Sequence, residues 1–92
     1  MKVLAKNSAV LIGVAGDVTV LDTRPTLEEA QKMVQGYVEL RSFERDGMNV
    51  QALFNEEGLR MELQINMTAS VVVGIPLVGP VIILTGRKRW EG

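Results

Sequence analysis

"MNVQALFNEEGLRMELQI", residues 48–65, decides how this chain is read. Two runs, Met48 to Phe54 and Leu59 to Ile65, place apolar residues at every second position on either side of Asn55-Glu56-Glu57-Gly58. A period of two is that of a strand with one buried face, and a four-residue segment ending in glycine suits a hairpin loop with Gly58 in the left-handed conformation. If Phe54 faces Leu59, then Ala52 faces Met61, Val50 faces Leu63 and Met48 faces Ile65, all on one side. Gln51 then meets Glu62, and Asn49 meets Gln64, on the other. The reading predicts a hairpin at 55–58 with Glu56 and Glu57 at its wet tip. Neighbouring glutamates there offer too few converging oxygens for calcium, and are too solvated to be tuned for proton transfer. A turn accounts for them better than a cation or acid/base site.

Working outward, Asp46-Gly47 is a strong hairpin signal joining "YVELRSFER" (37–45) to "MNVQALF" (48–54). Carrying the register through that turn puts Phe43, Arg41 and Glu39 on the apolar side, whereas Val38 and Leu40 want burial. A β-bulge near Arg41-Ser42 is therefore expected, to switch the phase. Further upstream, "MKVLAK" (1–6), "SAVLIGV" (8–14) and "DVTVLDT" (17–23) read as strands, with Gly16 supplying a positive φ for a turn at 15–17. Thr26 and Glu29 form a capping box; Leu27, Ala30, Met33 and Val34 then make an apolar stripe that Gly36 would end, giving a helix at about 27–35. So short a helix is unstable alone and must pack on a sheet.

Downstream, "NMTASVV" (66–72) reads as a short helix or turn capped by Asn66, although successive valines disfavour a helix. In "GIPLVGPVIILTG" (74–86), Pro80 suits a strand start. Val81 to Leu84 are apolar at consecutive positions, which calls for a strand covered on both faces by the helix or by a second subunit. The expected fold class is α+β: one domain over 1–92, mostly an antiparallel sheet of about five or six short strands, with hairpins at 15–17, 46–47 and 55–58 and one main helix. Residues 87–92 read as a basic tail without fixed structure.

Composition narrows the chemistry. The 92 residues hold 10 Lys plus Arg against 11 Asp plus Glu, a net charge of -1, so nothing global draws the chain to nucleic acid or anionic lipid. Without cysteine or histidine there are no disulfides, no sulfur-ligated zinc and no Ser-His or Cys-His nucleophile system. No metal and no cofactor is expected. Ser8, Ser42 and Ser70 have no evident base, and the five methionines read as core gap-fillers. The start shows no secretory h-region, which points to the cytoplasm and makes the Asn66-Met67-Thr68 glycosylation match accidental. Uncharged residues between Glu62 and Arg87 imitate a membrane span, but Gly74, Pro76, Gly79, Pro80 and the β-branched content favour buried strands broken by turns.

The order of parts resembles a family of small domains of unknown function found in bacteriophages and other mobile elements. The matching pieces are "MKVL" at the start, "TLEEAQKMVQGYVEL" across the helix and next strand, "FNEEGL", Asn66 with Ala69 beyond it, and "LVGPVIIL". Two stretches depart from the pattern: "VLIGVAG" looks like extra material between the first two strands, and "RMELQI" replaces a connection that tends to be shorter and less regular. The resemblance implies a mobile-element origin, an α+β fold and residence in the cytoplasm of a bacterial host. It assigns no catalytic residue.

Three functions follow from these readings. The first is stoichiometric binding of a host protein by a small accessory factor, plausible targets being defence or regulatory proteins; 47% hydrophobic residues in so short a chain also favour a homo-oligomer or another partner. The second is an oligomeric sponge for a nucleotide-like signal, with Arg87, Lys88 and Arg89 for phosphates and Trp90 for stacking. The third, association with nucleic acid, rests on the same basic residues alone. An enzyme would have to work through Tyr37, Glu39 or a lysine, although the first two are as well explained as strand-surface residues. Candidate ligand- or partner-binding residues are thus Tyr37, Glu39, Asn55, Glu56, Glu57, Asn66, Arg87, Lys88, Arg89 and Trp90, and no catalytic residue is assigned.

Overall fold

Val81, Ile82, Ile83 and Leu84 carry apolar side chains to both sides of any strand they form, so that strand needs cover above and below. A computed structural model, which describes residues 4–90, gives it that position. The chain order is β1 (Ala9–Ile12), β2 (Val18–Val20), α1 (Leu27–Val34), β3 (Val38–Arg45), β4 (Met48–Asn55), α2 (Met67–Val73) and β5 (Val81–Thr85), followed by a 3-10 turn at Gly86–Lys88. The strands form one antiparallel sheet in the order β2-β1-β5-β4-β3, with β5 in the middle. The fold is α+β.

The helices lie on opposite faces. Ala30 and Val34 of α1 pack with Ala9, Leu53, Ile82 and Leu84, while Ala69 and Val73 of α2 pack with Val10, Ile12, Val50, Ala52, Phe54, Val81 and Ile83. Every residue of β5 is buried. Each of its large apolar side chains contributes about 1.5–3 kcal/mol by leaving water, which makes the strand the energetic centre of the molecule.

Local signals place most of the elements. The capping box of α1 is formed in both directions, Glu29 N donating to Thr26 Oγ1 at 3.1 Å and Thr26 N to Glu29 Oε1 at 2.9 Å. Asp46 and Gly47, at φ of 54° and 77°, make the two-residue turn that their pairing predicts. Gly16, at φ of 90°, helps turn β1 into β2. Asn66 caps α2, so the helical reading of that stretch holds despite its valines.

Several expectations fail. The hairpin at 55–58 does not form, and 59–65 is not a strand: after Asn55 the chain winds through consecutive turns to Glu62, and Ile65 makes an isolated bridge with Val78. The flank of β4 that Leu59–Ile65 would have occupied belongs to β5, paired Val50↔Thr85 through Leu53↔Ile82. The reason is burial. A central strand hides both faces, which β5 tolerates and a run containing Arg60 and Glu62 does not. Gly58 is not the left-handed residue; Glu62 is, at φ of 56°.

The β-bulge is also absent, since β3 pairs with β4 in unbroken register from Val38↔Asn55 to Arg45↔Met48. Glu39 and Arg41 remain exposed on the regular strand because β3 is an edge. The first expected strand, 1–6, lies partly outside the described residues, and Leu4 to Lys6 are not in a strand. Helix α1 ends with Gln35, not Gly36, in the left-handed conformation at φ of 68°. Gly36 serves a close approach instead: a Cβ there would lie 2.7 Å from Asn55 Nδ2.

Asn66 is the polar pin of the α2 side. Its Nδ2 donates to Ile12 O at 3.0 Å and to Gly79 O at 2.9 Å, and its Oδ1 accepts from Ala69 N at 3.0 Å, all buried. Asn66→Ala removes a cap and strands buried carbonyls, for an expected loss of about 2–4 kcal/mol in urea unfolding. A loss below about 1 kcal/mol would contradict this role.

Candidate functional site

The turns that replace the expected hairpin border a partly enclosed cleft. Asn55 begins it. Its buried Nδ2 donates to Val34 O and Gln35 O, both at 3.1 Å, while its Oδ1 accepts from Glu57 N at 2.8 Å. One side chain therefore ties the end of α1 to the first residues of the 56–62 turns. The backbone completes them: Met61 N donates to Glu57 O and Leu63 N to Gly58 O, each at 3.0 Å. Gly58 is needed where this segment crosses the loop after α2, because a Cβ there would meet Val78 Cγ2 at 2.7 Å.

These turns and the Pro76–Val78 segment enclose a cleft of about 360 Å³. Its apolar walls come from Phe54, Leu59, Pro76, Leu77 and Val78, and its charge from Glu39, Glu56, Glu57 and Arg60. Arg60 Nη1 lies 3.0 Å from Glu57 Oε2, an exposed pair worth at most about 1 kcal/mol. Three carboxylates against one guanidinium leave the cleft acidic. No group of His, Cys, Asp or Glu among the described residues is arranged to hold a metal ion. The site offers fixed negative charge beside apolar surface, an arrangement suited to a cation carried on an apolar stem.

Of the candidate residues, Glu39, Asn55, Glu56 and Glu57 are brought together here. Tyr37 stands next to the strand that carries Glu39, 67% exposed, its carbonyl accepting from Glu56 N at 3.0 Å. Asn66 lies under α2 with its amide fully engaged. Leu59 and Arg60 also line the cleft, where a strand over 59–65 would have put them on the sheet, and Pro76–Val78 carries no sequence pattern that singles it out. One signal pointed their way: Arg60 and Glu62 make that run a poor partner for a strand buried on both faces.

Arg87, Lys88, Arg89 and Trp90 sit apart from the cleft and do not form a free tail. Trp90 N donates to Gln51 Oε1 at 2.6 Å, Gln51 Nε2 to Trp90 O at 2.7 Å, and Trp90 Nε1 to Pro25 O at 2.9 Å. Lys88 Nζ reaches Asp22 O at 3.1 Å, and Arg24 Nη1 reaches Arg89 O at 2.8 Å. The segment is thus ordered through Trp90, and residues 91 and 92 lie outside the described residues. A shallow depression lined by Arg24, Pro25, Thr26, Leu27 and Trp90 borders α1. Glu29 already occupies the helix cap there, which disfavours a phosphate.

Among the described residues, no helix is long and apolar enough to cross a membrane. No family model, curated protein or solved structure matches the chain.

Trp90 is the one tryptophan, so its fluorescence reports on this docking alone. Native emission is expected to be blue-shifted from that of the urea-unfolded chain. Gln51→Ala should weaken the shift and cost about 1–3 kcal/mol by leaving the Trp90 backbone groups unpaired. Native and unfolded spectra that coincide would contradict the docking.

Proposed function

We propose that this protein works by stoichiometric binding of another protein, as a small accessory factor, and that the cleft between the 56–62 turns and Pro76–Val78 receives the partner. The observation that carries this reading is the placement of Glu39, Glu56 and Glu57 around walls made by Phe54, Leu59, Pro76, Leu77 and Val78. Apolar walls supply affinity when they fill with a side chain, and acidic residues around them select a basic neighbour and speed its approach. A lysine or arginine beside an apolar anchor is therefore the chemistry the cleft fits. The resemblance to small phage and mobile-element domains is the reason to look first among defence and regulatory proteins of a bacterial host.

The sponge reading draws less support. Trp90, Lys88 and Arg89 spend hydrogen bonds on the chain's own backbone, which leaves a signalling nucleotide fewer free groups.

The test is affinity capture from a bacterial lysate with mass spectrometry, run in parallel on the native chain and on a Glu56→Lys, Leu59→Asp double variant. Both positions are exposed, and Leu59 is 82% so, which keeps the fold intact. A protein recovered near equimolar with the native chain, and about tenfold less with the variant, is the expected result. Equal recovery by both, or none by either, would contradict the proposal.

A further inference from the structure

The free edge of β3 has a pattern that matches itself. The two-residue turn at Asp46-Gly47 makes Arg45↔Met48 a hydrogen-bonded pair, and such pairs recur at every second residue down to Tyr37, whose carbonyl accepts from Glu56 N. The backbone N–H and C=O groups of Val38, Leu40, Ser42 and Glu44 consequently point away from β4, where the sheet has no further strand among the described residues. Edge strands are usually blunted by proline, a bulge or shortness. β3 has no proline, keeps regular register and runs for 8 residues, whereas β2 at the opposite edge has 3.

Charge is the remaining safeguard, and here it alternates in sign. Glu39 and Arg41 project on one side of β3, both exposed and neither in an ion pair among the described residues. We propose that a second copy of this chain pairs antiparallel along β3, with the two-fold axis at Leu40, joining the two sheets into one. In that register Glu39 faces Arg41 of the second copy twice over, Tyr37 faces Phe43, and Leu40, 40% exposed in the single chain, meets its own counterpart. An axis at Arg41 would oppose two arginines. An axis at Ser42 would set Glu39 against Arg45 and Leu40 against Glu44, which leaves the apolar edge residue unmatched. The inference goes beyond the cleft reading; Glu39 borders both the cleft and the β3 edge, whereas Arg41 lies outside the cleft, so the Arg41→Glu variant separates failure of the dimer from failure of the cleft reading.

The experiment is sedimentation equilibrium over a dilution series on the whole chain, with far-UV circular dichroism to confirm that each variant folds. The native chain should approach twice its mass of 10.1 kDa as concentration rises. Glu39→Arg or Arg41→Glu alone sets like charges face to face and should weaken association at least about tenfold. The double exchange, Glu39→Arg with Arg41→Glu, restores both ion pairs and should restore the dimer; with the axis at Ser42 it would oppose Arg45 and stay dissociated. A native chain that is monomeric throughout, a single variant that dimerises normally, or a double variant that fails to recover overturns the proposal.

Discussion

Four consecutive apolar residues, Val81 to Leu84, impose the arrangement from which the rest of the structure follows. A strand that is apolar on both sides gains most of its stabilisation only in the middle of a sheet with a layer packed above and below. That need explains why β5 lies between β1 and β4 although both precede it in the chain, and why α1 and α2 take opposite faces. It also explains the fate of residues 59–65, which lose their place beside β4 and pass over the end of the sheet as turns. The cleft is a consequence of that displacement.

Two buried asparagines convert the layered arrangement into fixed loops. Asn66 holds β1, the approach to β5 and the first turn of α2 through one amide. Asn55 does the same for the end of α1 and the start of the 56–62 turns. Apolar packing is non-directional, and these amides supply the direction that it lacks. Glu56 and Glu57 thereby have a defined position at the cleft, Glu57 through the hydrogen bond from its own N–H to Asn55, and not the loose one of a hairpin tip.

What was legible in the sequence was what local chemistry decides. Thr26 with Glu29, Asp46 with Gly47, and Asn66 ahead of α2 each carry their own hydrogen-bond or dihedral requirement, and the structure meets each of them. The doubly covered strand was legible for the same reason, since Val81 to Leu84 have no polar side. What could not be read was a competition. Alternation in 48–65 satisfies the rule for a hairpin, but whether it pairs depends on a stronger claimant further on, Val81–Thr85. The expected bulge at Arg41-Ser42 rested on that hairpin, because with β3 as an edge the charges of Glu39 and Arg41 need no escape from a core. The Trp90 docking was hidden differently: its partners, Gln51 and the Pro25 carbonyl, are groups that no sequence pattern singles out.

The account therefore turns on which segment pairs with β4 beside Ala52. Cross-strand nuclear Overhauser effects in the folded chain measure this directly. Backbone contacts linking Ala52 to Ile83 and Leu53 to Ile82 are predicted, with none linking Ala52 to Met61. Contacts between Ala52 and Met61 in place of those to Ile83 would contradict it, returning 59–65 to the sheet and Glu56 and Glu57 to the tip of a hairpin.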